Sequence, residues 1–138
     1  MTAHALWDVQ AAVHGVLAAD TALTTQLASG ANSVCDHVPQ DHSFPYISFG
    51  EMRLTAEETQ GFSGMETVMA IEAYSRAAGG KELEHILAAV HAALDDASFV
   101  VTGQTLVMCR HVDTAVSAPD GDVRRGTIRF RIVTEPSS

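Results

Sequence analysis

The chain has 138 residues, of which 46% are apolar and 18% charged, and its formal net charge is −9. A chain of this size and composition can fill one hydrophobic core without disulfide or metal cross-links, so we expect a single domain over residues 1–138. The acidic balance argues against a general DNA-binding or membrane-surface protein. The sequence also shows no targeting signal and no run of the roughly 20 apolar residues that a membrane span needs.

Helices are predicted at the start of the chain and in its second half. Apolar residues recur at helical spacing from Leu6 to Leu17, which predicts a helix over Ala3–Ala19. Asp20 is a suitable N-cap for a short helix over Thr21–Ala28. The clearest helix follows Gly79-Gly80 in the segment GGKELEHILAAVHAALDDA, where leucines, isoleucine and valine form one stripe.

Strands are predicted between and after these helices. Their boundaries come from β-branched and aromatic runs that end at proline and glycine signals. The predicted strands are Val34–Val38, Tyr46–Leu54, Thr67–Ser75, Gln104–Ser117 and Asp122–Thr134, with a further short strand over Phe99–Val101. The polar segment TAEETQGFSGME is too long for a tight turn and predicts a mobile loop or a protruding hairpin tip.

The order of these elements indicates an α+β fold. Neighbouring strands follow one another as hairpins and not as βαβ units. We therefore expect an antiparallel or mixed sheet of about four to five strands, with two main helices packed on one face.

No catalytic or metal-binding pattern stands out. Seven histidines are present, but none has the spacing of a zinc site or a metalloprotease motif. There is no nucleophile elbow, and the Gly79-Gly80-Lys81 segment lacks the rest of a phosphate-binding loop. Cys35 and Cys109 stand in apolar surroundings and are expected to be buried, reduced thiols. We expect neither enzymatic activity nor a cofactor.

Four arginines crowd the last predicted strand. Strand parity places Ile128 and Phe130 on the core face and Arg125, Arg129 and Arg131 in a row on the other face. We call these three arginines the arginine row. If the APDGD turn pairs Ala118 with Asp122, the row lies opposite Ala115, His111 and Cys109, with Asp113 as a diagonal neighbour.

Two interpretations of the arginine row remain open. It can be a solvated face that protects an edge strand from unwanted pairing. It can instead bind carboxylates of a neighbouring subunit, for which the planar guanidinium is well suited. Nucleic acid is the least favoured partner, because three arginines on an acidic body make a weak footprint.

The segment 57–66 is a second candidate interface. Glu57 and Glu58 make it acidic, and Phe62 and Met65 add apolar groups to an otherwise polar, glycine-bearing stretch. A protruding loop with such residues is one way in which a subunit reaches its neighbour.

The chain as a whole resembles a known family. The succession LAADTALTTQLASG, HVPQDHSFPYISFGE, the strand–Gly-Gly–helix unit over Ala73–Leu94 and the closing DGDVRRGTIRFRIV strand is similar to the tail-completion or tail-terminator proteins of long-tailed phages and gene transfer agents. The resemblance implies an α+β protomer, assembled in the host cytoplasm as a homo-hexameric ring in the virion. That ring would cap the tail tube protein, stop tube growth and bind a head-side connector or stopper protein.

The resemblance further implies that DNA passes through the ring without sequence-specific binding. An acidic lumen would repel the phosphate backbone, which suits such a passage. The alternative from a different class is a small-ligand binding module or enzyme, with a pocket between sheet and helices near His111, Cys109 and Tyr74. A head-side stopper or a tube protein is a third option, the tube protein being disfavoured by the modest strand content.

Overall fold

The computed structural model describes residues 5–38, 40–59 and 62–136. Its helices are α1 (Ala5–Ala19), α2 (Thr21–Thr24) and α3 (Lys81–Leu94), with a 3₁₀ turn at Gly30–Ser33. Its strands are β1 (Val34–Cys35), β2 (Tyr46–Thr59), β3 (Phe62–Ser75), β4 (Gln104–Val116) and β5 (Arg124–Pro136). No helix in these described ranges has both the length and the apolar character that crossing a bilayer requires.

The strands form one mixed sheet, which confirms the predicted α+β class. The strand order is β1-β2-β3-β5-β4. β1 runs parallel to β2, and every other neighbouring pair is antiparallel. β5, the last strand in the sequence, therefore lies inside the sheet, and β4 forms the edge opposite β1.

β2 and β3 are longer than predicted. They pair continuously out to Thr59 and Phe62, so the TAEET and FSGME segments are strands of one hairpin. The pairing of β3 with β5 begins only at Met65, which leaves the end of the hairpin projecting beyond the sheet. The protruding hairpin is thus found, and the loop alternative is wrong, because backbone pairing between the two strands outweighs the weak strand propensity of polar residues.

The remaining differences from the predicted elements are local. α2 ends at Thr24, not Ala28, since the N–H groups of Gln26 and Leu27 donate to carbonyl oxygens three residues back and the Ala28 N–H donates to the carbonyl oxygen of Pro45. The predicted strand near Phe99 is reduced to an isolated bridge between Val101 and Gln104. Asp20 caps α2 as expected, accepting from the Leu23 N–H at 3.0 Å.

The hydrophobic core lies between the helices and one face of the sheet. Alternate residues of β3 and β5, which lie opposite one another in register, turn toward it. The helices contribute the apolar stripes that their spacing predicts. The largest fully buried members are Phe130, Leu17, Leu23, Ile47, Met69, Ile71, Leu83, Ile86, Leu94, Ile128, Ile132 and Val9. Both cysteines are buried as free thiols.

Candidate assembly surface

The arginine row lies on the sheet face opposite the core. Ile128 and Phe130 are buried, whereas Arg129 and Arg131 are half-buried and Arg125 is exposed. The strand parity inferred from the sequence is therefore confirmed. We call this side of the sheet the outer face.

The register of the row against β4 differs from the prediction. The turn is centred later than expected, with a bridge between Asp120 and Val123, so Arg129 lies directly opposite Asp113 and not diagonal to it. A bulge at Val112 then shifts the pairing by one residue, which brings Arg131 opposite Arg110. A bulge adds one unpaired residue and moves every later pair, which a sequence pattern does not reveal.

Two of the three arginines have acidic partners within the chain. Arg129 Nη1 lies 3.2 Å from Asp113 Oδ1, and both side chains are substantially exposed. Arg131 bonds to the Glu66 carboxylate on β3, where both partners are about two-thirds buried. Among the described residues, Arg125 makes a 3.4 Å contact to the Ser117 hydroxyl and no ion pair. The row thus presents much less positive charge than its sequence suggests.

The edge-protecting interpretation of the row is wrong. β5 hydrogen-bonds to β3 on one side and to β4 on the other, so its arginines do not border a free edge. They stand in the middle of an open, polar sheet surface.

A shallow groove crosses this outer face between β2, β3 and β5. Its volume is about 360 Å³, and its lining comprises Glu51, Arg53, Thr55, Glu66, Val68, Ala70 and Arg129. The charged side chains in this lining are two glutamates and two arginines. Such a surface suits a polar protein partner better than an apolar small ligand.

An aromatic cluster that the sequence analysis missed lies at the β2 start of the outer face. Tyr46 stacks on Tyr74 with ring centroids 4.9 Å apart, and Phe44 meets Tyr46 edge-on. The guanidinium of Arg76 lies 4.3 Å above the Phe44 ring. Tyrosine, arginine and other aromatic residues are the types most enriched at the energetic centres of protein interfaces.

Tyr74 is held as a neutral hydrogen-bond donor. Its hydroxyl donates to Glu72 Oε1 at 2.6 Å. Burial, followed by this bond and the Glu72 charge, raises the pKa of Tyr74 to about 12. The sequence shows Phe44 and Tyr46 on either side of Pro45, but that Tyr46 lies opposite Tyr74 follows only from the register of β2 against β3.

For most residues of the second candidate interface, the structure describes the backbone but not the side chain. Glu57, Glu58 and Phe62 lie in β2 and β3, but their side chains fall outside the described part of the chain. Met65 is only 2% exposed. It faces inward next to the first β5 pairing, so a lone subunit does not present it as an apolar tip.

The residues of the predicted ligand pocket do not converge. Cys109 is buried on the core face, opposite Ile132, while Tyr74 lies on the outer face, opposite Arg125. Burial, with a smaller effect from Asp95, raises the pKa of Cys109 to about 12, which leaves it an inert thiol. Within the described residues no group of three His, Cys, Asp or Glu side chains could hold a metal ion.

Comparisons with known proteins identify relatives of the whole chain. The sequence model of the family described as tail completion protein gp17 matches residues 11–135. Among solved structures, a chain from the virion of a native gene transfer agent (GTA) particle matches with a TM-score of 0.86 and 26% sequence identity, covering 97% of this chain and 99% of that one. No curated protein gave a significant match.

Proposed function

The chain belongs to the tail completion protein gp17 family, and from that premise we propose that it forms a ring that caps the tail tube of a phage-like particle. Membership in this family makes the chain a structural protein of the virion tail, not an enzyme. In the proposed role the ring stops tube growth and binds a head-side connector protein on its other face. It would be a homo-hexamer through which DNA passes.

The full-length structural match carries this proposal. Because 97% of this chain and 99% of the virion chain superimpose, the two share a whole subunit and not merely a common core. A subunit shared over its full length has the same elements available for contacts with its neighbours, which is consistent with the same place in an assembly. The aromatic cluster and the groove on the outer face supply surfaces of the polar, aromatic kind that subunit contacts use.

The charge distribution supports passage of DNA through the ring. The first 52 residues, which include α1, α2 and β1, contain no lysine or arginine but five acidic residues. α3 adds Glu82 and Glu84 in its first turn. The arginine row lies on the other side of the sheet. We place the acidic helical side toward the lumen, where it repels the phosphate backbone and prevents adhesion of the DNA.

The proposed ring is tested by measuring the mass and shape of the assembled protein with and without tail tubes, the expected template. Purified protein would be examined by light scattering and negative-stain electron microscopy, alone and with preformed tail tubes. We expect closed rings, or rings bound at tube ends with tube length held constant. A chain that stays monomeric in both cases, and leaves tube growth unchanged, would overturn the proposed function.

Variants of the ion pair between Arg131 and Glu66 test whether the arginine row binds a neighbouring subunit or only stabilises its own sheet. Arg131→Glu places two carboxylates together and should weaken both the fold and assembly. The exchange Arg131→Glu with Glu66→Arg restores an internal pair but reverses its polarity. If the row binds a neighbour's carboxylates, the exchanged variant refolds normally yet fails to assemble. Normal assembly of the exchanged variant would show that the pair serves only the subunit's own sheet.

A further inference from the structure

β4 is an edge strand whose outward-facing backbone groups can be assigned. Ser117 donates its N–H to the carbonyl oxygen of Arg125 at 2.9 Å, so it bonds inward, toward β5. In an antiparallel ladder, alternate residues bond inward and outward. Val116 and Thr114 therefore direct their backbone groups away from β5, toward the free edge.

The first part of this edge is covered by the chain itself. The Asp96 N–H donates to the carbonyl oxygen of Cys109 at 2.8 Å, and the Asp95 carboxylate accepts from the His111 N–H at 2.9 Å. Asp96 adopts the left-handed conformation, with φ of 59°, where the chain leaves α3. At the start of the strand the Gln104 N–H donates to Val101. Covering an edge in this way prevents unwanted strand pairing.

The last part of the edge has no such cover. Among the described residues, no hydrogen bond reaches the backbone groups that Thr114 and Val116 turn outward. Val112 and Val116 are 49% and 53% exposed. We call Val112–Val116 the open edge segment.

A partly apolar groove lies beside the open edge segment. It has a volume of about 260 Å³ and lies between α3 and β4, with a lining of Glu84, Leu87, Ala88, His91, Thr114 and Val116. An added strand would therefore find both unpaired backbone groups and a place for an apolar side chain.

The opposite edge of the same sheet is also incomplete. β1 pairs with β2 only at Ile47 and Ser48, so from Phe49 onward the described part of β2 has no strand on that side. Across the sheet, Thr114 pairs with Ile128, which pairs with Ile71, which pairs with Phe49. The open edge segment and the start of the β2 free edge thus lie at the same height on opposite sides of the sheet.

The two free edges carry opposite charges on the outer face. Arg53 on β2 is exposed and has no ion pair within the described residues. The open edge segment carries Asp113, with 56% of its side chain exposed, on the same outer face as Arg53; only its Oδ1 bonds Arg129 among the described residues. An arginine from a second copy would therefore share the Asp113 carboxylate with Arg129.

We propose that the open edge segment of β4 is the contact at which a second copy of this chain adds the free edge of its β2. Two different surfaces of each subunit then meet head to tail, which is the type of contact that closes into a ring. Backbone hydrogen bonds and the apolar groove supply affinity, and Arg53 against Asp113 favours the correct partner. The inference rests on the ring of the proposed function and specifies which surfaces form it.

Three variants test this contact against a matched control. Thr114→Pro removes an outward-facing N–H, a change that an edge strand tolerates because no backbone bond to β5 is lost; the exposed hydroxyl contact to His111 goes with it. Val112→Lys places a charge in the open edge segment. Val107→Lys is the control, since Val107 is also 49% exposed and also lies at a bulge, but between Gln104 and Cys109, whose backbone groups bond to Val101 and Asp96. Arg53→Glu reverses the charge on the partner edge.

Assembly is measured by light scattering over a range of concentrations, after circular dichroism and thermal unfolding have shown that each variant is folded. We expect Val107→Lys to assemble like the parent chain, and Val112→Lys and Thr114→Pro to assemble roughly tenfold or more weakly. Arg53→Glu should weaken assembly in the same direction.

The outcomes distinguish this inference from the proposed function. If Val112→Lys and Thr114→Pro form rings at the same protein concentration as the parent chain, the β4 contact is wrong but the proposed ring stands. Equal loss in Val107→Lys also overturns it, because the effect is then not confined to the open segment. Normal assembly of Arg53→Glu overturns β2 as the partner edge. A parent chain that never forms rings, even on tube ends, defeats the proposed function itself.

Discussion

Gly126 occupies a buried position where β5 passes directly under α3. A Cβ built at this residue would stand 2.6 Å from Leu87 Cδ1 and 3.3 Å from its Cγ and Cδ2. Leu87 is itself only 5% exposed, so it has little room to withdraw. Overpacking a well-filled core typically costs about 1–3 kcal/mol. Replacing glycine by alanine also restricts the unfolded chain, which returns about 0.4–1 kcal/mol.

Gly126→Ala is therefore expected to lower the free energy of unfolding by about 1–2 kcal/mol. For a domain of this size that corresponds to a fall of roughly 3–6 °C in the melting temperature, measured by circular dichroism or calorimetry. Gly15→Ala is the matched control: nothing lies within 4 Å of its added Cβ, which sits in α1. Alanine there should raise stability by up to about 1 kcal/mol.

A double-mutant cycle isolates the contact between Gly126 and Leu87. In a Leu87→Ala background the added methyl group should fill part of the space that the truncation leaves, so Gly126→Ala should become neutral or stabilising. If Gly126→Ala melts at or above the parent temperature, or costs the same in both backgrounds, the close approach of β5 to α3 is not what requires glycine here.

Three further predictions follow from individual polar groups. The His111 N–H holds the pKa of Asp95 below its ordinary value, so the Asp95 carboxylate stabilises the fold at neutral pH. This contribution is lost as pH falls through the lowered pKa. In thermal unfolding, Asp95→Asn should therefore be less stable than the parent near pH 7 and equal to it near pH 2. Because the pKa of Tyr74 is about 12, its stabilising contribution should be lost only as pH rises from about 10 to above 12. In a spectrophotometric titration, Tyr74→Phe should remove the tyrosinate absorbance that appears at the highest pH. Cys109, 1% exposed, should resist a thiol reagent at pH 8 until the protein unfolds, whereas rapid labelling of the native chain would contradict its placement in the core.

The parts of the fold that depend on local pattern were predictable from the sequence. The apolar stripe of α3 and the alternation of Ile128, Phe130 and Ile132 with the arginine row are both direct consequences of helix and strand geometry. The N-cap at Asp20 was also predictable, because a side-chain acceptor at that position satisfies a free N–H of the first turn.

The contacts of the arginine row were not predictable, because they depend on which strands are neighbours and in what register. Nothing local indicates that β3 inserts between β2 and β5, which is what brings Glu66 to Arg131. Nor does the sequence around Val112 indicate the bulge that, with the later turn, places Arg131 opposite Arg110 and not Cys109. A one-residue slip changes every cross-strand partner, so an ionic surface on a sheet is fixed by tertiary pairing and not by composition.

The pairing of the arginine row changes how assembly through this subunit is best understood. An arginine that already bonds Glu66 or Asp113 must give up that bond before it can bind a neighbour, and exchanging one partly exposed ion pair for another yields little free energy. Thr114 and Val116, in contrast, have outward backbone groups with no protein partner in the described chain, so pairing them sacrifices no existing contact. The free energy of ring formation is therefore expected to come mainly from strand edges and apolar burial. The arginine row would fix the shape of the outer face that the other tail proteins meet.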